Sequence, residues 1–147
     1  MNYSISNVSW LDQRDALRQL RDIVFIQEQN VPLADEWDGK DDDAIHFLIR
    51  MDDGALAGCA RLLIESHHGK SVFHVGRVAI LSAYREQGLG RELMRFIMDF
   101  CKQLSPENSV YLHAQTSRKR FYEHLGFVAT GDVFMDAGIP HIEMWHK

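Results

Sequence analysis

The first half of the chain places a helical pattern before a series of strand-like segments. Within residues 15–30, one face at helical spacing is formed by Ala16, Leu17, Leu20, Ile23, Val24 and Gln27. This spacing predicts an amphipathic helix, and Asp12 is its expected N-cap. Residues 31–43, which follow, are strongly acidic and show no helical or strand period. We therefore expect a helix followed by an irregular acidic stretch.

Beyond residue 43, strand-like runs alternate with two further helical patterns. Residues 44–51, 55–65 and 71–81 are predicted strands, and the short turns between them favour antiparallel pairing. The remaining predicted elements are a helix over 89–104, a strand over 110–115, a helix over 117–125, and strands over 127–135 and 141–147. This order of elements predicts a mixed sheet with helices packed on it.

Composition narrows the class of protein. The 147 residues suit a single domain. The net charge of −5 argues against general nucleic-acid binding, which needs a basic face to replace phosphate counterions. No apolar run reaches the length of a membrane span, and the first residues lack the pattern of a secretory signal. Because Cys59 and Cys101 show no metal spacing, we expect reduced, half-buried thiols in a cytoplasmic protein.

Two glycines stand one residue apart at the start of the helix predicted over 89–104, in the segment YREQGLGREL (84–93). The segment matches neither of the common glycine-rich phosphate motifs. The first amides of a helix lack intrahelical acceptors and carry the positive end of its dipole. Gly88 and Gly90 leave those amides uncovered, and Arg85 adds a positive charge. An anion can bind at such a place, although these residues alone also fit a helix start that holds no ligand.

Two motifs, taken in their order along the chain, resemble the GNAT superfamily of acyl-CoA-dependent N-acyltransferases. The pyrophosphate loop of that family, Q/R-x-x-G-x-G/A, reads REQGLG at residues 85–90. A second signature, F-Y-x-x-x-G-F, reads FYEHLGF at residues 121–127. The segments VFIQEQNVP (24–32) and GIPHIEM (138–144) are similar to the ElaA-like branch of the superfamily. The resemblance therefore covers nearly the whole chain.

This resemblance implies a fold and an activity. The expected fold is a GNAT-like α/β domain over residues 1–147, with a mostly antiparallel, twisted sheet of about six to seven strands and helices on both faces. The expected activity is transfer of an acetyl group from acetyl-CoA, without a metal, to the primary amine of a small molecule or peptide. Family members also often form homodimers. A non-catalytic acyl-CoA-binding or regulatory domain is the alternative, whereas a dinucleotide-binding oxidoreductase is disfavoured because the glycines follow an antiparallel-type strand.

The resemblance also implies which residues hold the cosubstrate. The pyrophosphate would be bound next to Arg85 by the main-chain amides of Gln87, Gly88, Leu89, Gly90 and Arg91. The backbone around Val78 and Ile80 would pair with the pantetheine arm as an added strand would. Gln115 stands where many members have an asparagine, and Arg118 stands where they have an alanine. By the resemblance, both positions lie near the adenosine and pantetheine end of the cosubstrate.

The resemblance to the family also implies catalytic roles for several residues. The tyrosine of the second motif, Tyr122, commonly protonates the leaving thiolate, although it could be a core aromatic residue instead. His74 lies at the strand position where several members carry a general base. His141, Glu28 acting through a water, and the absence of any dedicated base are the alternatives. Strict strand alternation would place His74 on the same face as Val78 and Ile80.

The acidic stretch and Glu28 are candidate binding sites for the acceptor amine, but neither identifies that amine. The acidic stretch is either a solvated surface or a patch that attracts a cationic amine; its carboxylates are Asp35, Glu36, Asp38, Asp41, Asp42 and Asp43. Glu28 is likewise either an acceptor-site residue or an ordinary carboxylate at a helix end. None of the eight histidines shows the spacing of a zinc site, so no metal ligand is predicted. Small amines, polyamines, amino acids, antibiotics, protein lysines and protein N-termini all remain as acceptors.

Overall fold

A single sheet organises the computed structural model, which describes residues 2–146. Its strands lie in the order β1-β2-β3-β4-β5-β7-β6. Their bounds are β1 Tyr3–Val8, β2 Ile45–Met51, β3 Leu56–His67, β4 Lys70–Ile80, β5 Val110–Gln115, β6 Val128–Asp136 and β7 Ile139–His146. All neighbours pair antiparallel except β4 and β5, which are parallel. The predicted mixed, mostly antiparallel sheet is confirmed; Lys147, at the end of the last predicted strand, lies outside the described residues.

Four helices accompany the sheet in this part of the chain. They are α1 Trp10–Arg21, α2 Leu33–Glu36, α3 Leu89–Leu104 and α4 Lys119–His124. Helix α1 continues into a π-helical turn, Asp22–Glu28, and two 3₁₀ turns span Ser82–Tyr84 and Thr116–Arg118. Within residues 2–146, no helix combines the length and the apolar character that crossing a membrane requires.

The bounds of α3 and β5 agree with the sequence prediction, but the N-terminal region differs. The first helix begins at Trp10, earlier than predicted, and strand β1 precedes it. Ser9 is the N-cap in place of Asp12, since the Ser9 hydroxyl accepts a hydrogen bond of 3.1 Å from the Asp12 amide. The stretch predicted to be irregular contains the single helical turn α2.

Apolar side chains form one packed cluster on each face of the sheet. Phe47 and Ile49 of β2 pack in the cluster that α3 and α4 cover, whereas Leu48 packs in the cluster that α1 covers. Cys101 belongs to the first cluster and Cys59 to the second. Both cysteines are fully buried, not half-buried as predicted. Burial raises the pKa of each thiol to about 12, so neither is a thiolate at neutral pH.

Strands β4 and β5 separate after three paired positions. Their last pair is Val75 with Leu112. Beyond it, residues 76–80 of β4 have no strand partner on that side among the described residues, although β3 still pairs with Gly76, Ala79 and Ile80 on the other. The result is a wedge-shaped gap in the middle of the sheet, beside an unsatisfied strand edge.

A β-bulge in β4 changes which side chains share a face. The register between β3 and β4 shifts at this point, and Arg77 has a positive φ of 51°. Before the bulge, Val75 packs in the cluster under α3; after it, Val78 and Ile80 pack against the same cluster and Ala79 joins the other. The predicted strict alternation along this strand was therefore wrong, because the bulge inserts one extra residue.

Candidate active site

A cleft of about 1180 Å³ opens where β4 and β5 diverge. Its walls come from the π-helical turn, α2, the edge of β4, the loop before α3, the end of β5, and α4. Almost all of the predicted site residues line it, namely Glu28, His74, Val78, Ile80, Arg85, Gly88, Leu89, Gly90, Arg91, Gln115, Tyr122 and His141. Gln87 is the exception: its side chain turns back on the loop and donates a hydrogen bond of 3.4 Å to the carbonyl of Ala83.

The glycine loop forms an uncapped helix start. Gly88 is the N-cap of α3 and adopts the left-handed conformation, with φ of 81°, which favours glycine. It supplies no side-chain cap, so the first amides of α3 have no acceptor within the helix. A Cβ atom on Gly90 would lie 3.5 Å from the ring of Phe121 on α4. This loop therefore faces the cleft with free N–H groups and the positive end of the helix dipole.

Arg85 and Glu28, assigned by resemblance to different ligands, contact each other. The two terminal nitrogens of Arg85 donate hydrogen bonds of 2.6 and 2.8 Å to the two carboxylate oxygens of Glu28. The Nε of Arg85 donates a third bond, of 2.8 Å, to the carbonyl of Ile80. The hydrogen bond from Arg85 lowers the pKa of Glu28 below its usual value. All three nitrogens of the Arg85 guanidinium and both carboxylate oxygens of Glu28 therefore already have hydrogen-bond partners.

Basic residues concentrate along one part of the cleft. Arg91 and Arg95 project from α3, Arg118 follows β5, and His124 lies on α4, and all four line the cavity. This concentration stands out in a chain whose net charge is −5. The end of the cleft next to the glycine loop is therefore suited to a polyanion.

Arginines from three different elements neutralise much of the acidic stretch. Arg21 of α1 donates to Glu36 at 2.7 Å and to Asp41 at 2.6 Å. Arg61 of β3 donates to Asp38 through two bonds of 2.9 Å and to Asp41 at 3.2 Å. Neither a solvated surface nor a patch free to attract an amine describes Glu36 and Asp41, which are buried and paired. Asp38 is paired but exposed. Asp35, Asp42 and Asp43 are also exposed, so both interpretations stay predictions for them.

Arg77, at the bulge, ties the same stretch to β4. One terminal nitrogen of Arg77 donates to the main-chain carbonyls of Asp35 and Glu36, at 2.9 and 3.2 Å, and to the Asp38 carboxylate at 3.2 Å. Arg77 and the stretch it holds both line the cleft. The bulge therefore positions one wall of the cavity.

Tyr122 lies at the floor of the cleft. It is 8% exposed, and its ring makes edge-to-face contacts with Phe121 and Phe127, at centroid distances of 5.0 and 5.9 Å. None of the described residues forms a hydrogen bond with its hydroxyl. Burial raises the pKa of Tyr122 to about 12, so the phenol keeps its proton at neutral pH and is available as a donor.

His74 is held by a carboxylate and a stacked ring. Its Nδ1 lies 2.9 Å from Oε2 of Glu65, and its ring stacks on Tyr111 at a centroid distance of 4.3 Å. The Tyr111 hydroxyl donates to the other oxygen of Glu65. Burial lowers the pKa of His74, and Glu65 partly opposes that effect. Because Nδ1 is engaged, Nε2 is the nitrogen left for another partner.

Two other histidines line the same cleft. His141 has its Nδ1 2.7 Å from the carbonyl of Ile139, which makes Nδ1 the protonated nitrogen. His113 has its Nε2 3.2 Å from a carboxylate oxygen of Glu143. Gln115, at the end of β5, donates to the side-chain oxygen of Gln29 at 2.9 Å. Within residues 2–146, no three His, Cys, Asp or Glu side chains are grouped as metal ligands would be.

Known proteins similar to this chain show which family it belongs to. Residues 24–147 match the sequence family described as "Acetyltransferase (GNAT) domain". Protein ElaA of Escherichia coli (strain K12) is 36% identical over 135 residues, which cover 91% of this chain and 87% of that protein. The crystal structure of E. coli ElaA aligns with a TM-score of 0.86 at 33% identity over 99% of both chains.

A second solved structure, described as an acyl-CoA N-acyltransferase from Pseudomonas aeruginosa, aligns with a TM-score of 0.84. It is 34% identical, and the alignment covers 99% of both chains. These matches confirm the GNAT-like fold predicted from the two motifs. The chain belongs to the GNAT family of acyl-CoA-dependent acyltransferases, in its ElaA-like branch.

Proposed function

We propose that this protein is an N-acetyltransferase that moves the acetyl group of acetyl-CoA to a primary amine by direct attack within a ternary complex. Membership of the GNAT family supports transfer of an acyl group from acyl-CoA to an amine. The gap between β4 and β5 is the main support for acetyl transfer in a ternary complex. It brings the glycine loop, the free edge of β4, His74 and Tyr122 around one cavity. Such an arrangement can hold both reactants in line before any bond forms.

The cosubstrate occupies the basic end of the cleft. Its pyrophosphate accepts hydrogen bonds from the free amides at the start of α3, where Gly88 and Gly90 allow close approach. Its pantetheine arm lies along residues 76–80 of β4 and satisfies the strand edge that β5 has left. Arg91, Arg95 and Arg118 neutralise its phosphates.

The acceptor amine attacks through its lone pair, so it must be neutral before the carbon–nitrogen bond forms, and its nitrogen then loses a further proton as the amide forms. An alkyl amine has a pKa near 10.4, so only about one molecule in a few thousand is neutral at pH 7. We assign the proton acceptor to His74, whose Nε2 is not engaged and whose lowered pKa keeps the ring neutral at working pH. His141 also leaves Nε2 unengaged and is the alternative. Glu28 is a weaker candidate, because Arg85 occupies both of its oxygens.

Departure of coenzyme A needs a proton and a stabilised oxyanion. Main-chain N–H groups of β4 at the gap donate to the carbonyl oxygen as charge develops, a role that the unpaired edge of β4 supports. The Tyr122 hydroxyl gives its proton to the thiolate. Direct transfer is favoured over a covalent acyl-enzyme, since both cysteines are buried thiols with a pKa of about 12.

Amine-dependent release of free coenzyme A tests the proposal. Acetyl-CoA is incubated with a panel containing an alkyl amine, a polyamine, amino acids and peptides with free N-termini, and the acetylated product is identified by mass. We expect release only with an acceptor that also gains an acetyl group. Tight acetyl-CoA binding without turnover across the panel would instead indicate an acyl-CoA-binding domain.

A further inference from the structure

A carboxylate, a histidine and a tyrosine from three adjacent strands form a connected group at the cleft. Glu65 comes from β3, His74 from β4 and Tyr111 from β5. One oxygen of Glu65 lies 2.9 Å from Nδ1 of His74, and the other accepts the Tyr111 hydroxyl. The two rings stack with an interplanar angle of 16°. All three side chains are at least half-buried, so water competes little for these contacts.

We propose that Glu65 is a positioning residue for His74: its carboxylate accepts the Nδ1 proton and thereby leaves the lone pair of Nε2 for the proton of the acceptor amine. Tyr111 fixes the second carboxylate oxygen, so the carboxylate cannot rotate away from the ring. This role rests on the proposed function, in which His74 is the base.

The hydrogen bond from His74 to Glu65 fixes the tautomer of the imidazole. A neutral ring has two tautomers, and the hydrogen bond at one nitrogen decides which nitrogen carries the proton. Glu65 is an acceptor when ionised, and its pKa is lowered by hydrogen bonds from Tyr111 and His74 against the opposing effect of burial. An ionised Glu65 therefore selects the tautomer with the proton on Nδ1. The stacked Tyr111 ring restricts rotation of the imidazole between its two flipped orientations.

The proton transfers need no reactant other than the amine, acetyl-CoA and water. As the nitrogen of the neutral amine bonds to the acetyl carbon, its N–H bond breaks and the proton moves to Nε2. The ring becomes an imidazolium, and the negative charge of Glu65 stabilises it at 2.9 Å. The carbon–sulfur bond breaks, and the thiolate takes a proton from Tyr122. Water then exchanges protons with both residues and restores their starting states.

Glu65→Gln separates this role from a structural one. Glutamine keeps the shape of the side chain but removes its charge, and Glu65 is the group that raises the pKa of His74 against burial, His113 and Arg61. We expect kcat/KM for the amine to fall about 10²-fold, with KM for acetyl-CoA unchanged. The acidic limb of the kcat/KM profile should move to lower pH, because the imidazolium loses its counter-charge.

Glu143→Gln is the matched control, since Glu143 pairs with His113, which lines the same cleft, and does not contact His74. It should not move the acidic limb to lower pH, because Glu143 acts on His74 only through His113, and circular dichroism should show that both variants fold. The ¹⁵N shifts of the His74 ring should report a proton on Nδ1 in the wild-type protein and a mixture of tautomers in Glu65→Gln.

Three results would overturn the proposal: an unshifted limb in Glu65→Gln, the same shift in Glu143→Gln, or a wild-type ring protonated on Nε2. The ring shifts are read without turnover. Absence of amine-dependent turnover in the wild-type protein would reject the proposed function itself, whereas normal wild-type turnover with an unshifted limb in Glu65→Gln would reject only the role of Glu65.

Discussion

Arg85 and Glu28 form a bidentate ion pair, with bonds of 2.6 and 2.8 Å, that links the loop before α3 to the end of the π-helical turn. The same guanidinium also holds the last carbonyl of β4, that of Ile80, at 2.8 Å. One side chain thus fastens three elements of the cleft wall. The pair is partly exposed, with 29% of the Arg85 side chain and 38% of the Glu28 side chain accessible, so a phosphate oxygen can compete for the guanidinium.

Glu28→Gln should therefore strengthen acetyl-CoA binding. An exposed ion pair is worth about 0.2–1 kcal/mol, and removing it leaves the charge of Arg85 uncompensated beside the glycine loop. We expect the Kd of acetyl-CoA, measured by calorimetry, to fall by about 2–5-fold. Arg85→Gln should raise the Kd. Weaker binding in Glu28→Gln would mean that the pair supports the cosubstrate site instead of competing with it.

Gly88→Val should weaken acetyl-CoA binding about tenfold or more, on the order of 1.4 kcal/mol for each factor of ten. A β-branched residue is strained at the φ of 81° found there, and its side chain covers the amides at the start of α3. Gly54→Val is the matched control, because Gly54 has a φ of 91° in the turn before β3. Both variants should lose similar thermal stability. Equal acetyl-CoA affinity in the two variants would remove the loop from the binding site.

Tyr122→Phe should lower kcat by about 10²–10⁴-fold, the usual contribution of a general acid. The ring still packs between Phe121 and Phe127, so acetyl-CoA affinity and melting temperature should stay close to wild type. Because burial raises the pKa of Tyr122 to about 12, its ionisation should cause no loss of kcat at alkaline pH below that value. Tyr84→Phe, which removes a second hydroxyl from the cleft lining, serves as the control. A wild-type kcat in Tyr122→Phe would leave the tyrosine with a packing role alone.

Arg21→Met should destabilise the fold by about 3–5 kcal/mol, because it leaves buried carboxylates without a partner charge. Arg21 is 1% exposed and bonds both Glu36 and Asp41, which are also buried. Urea unfolding measures the change. Arg18→Met, which removes an arginine stacked 5.0 Å from the ring of Trp37, should cost only about 0.5–1 kcal/mol. A loss of similar size in the two variants would show that packing on the indole, and not the ion network, stabilises this region.

The helices and strands that were predicted correctly are marked by residues close together in the sequence. Helix α3 has a sustained helical period, a glycine pair at its start and the breaker segment 105–109 at its end, and both of its bounds were correct. The two motifs predicted the family correctly. All but one of the residues assigned to the site by resemblance line the cleft, and their roles stay predictions. Strand β1 was missed because it is a short edge strand of six residues with several exposed positions, which gives a weak pattern.

Features that depend on pairing between distant segments could not be predicted in the same way. Nothing local indicates that Arg77 adopts a positive φ; the bulge appears only when β4 is paired with β3. The acidic stretch resembled a solvated surface because its arginine partners lie on α1, β3 and β4. Glu65 could have been found, since the hairpin register places it diagonal to His74. The predicted homodimer and cytoplasmic location stay predictions.

The two buried cysteines have a practical consequence. Cys59 lies in the cluster that α1 covers, Cys101 lies on the buried face of α3 in the other cluster, and each thiol is closed to solvent. A disulfide reagent can therefore reach each sulfur only when its own layer opens transiently. The rates at which the two thiols react would give separate free energies of opening for the two sides of the sheet. No further cysteine has to be introduced for this measurement. While the protein stays closed, the same reagent detects only the thiol of newly released coenzyme A.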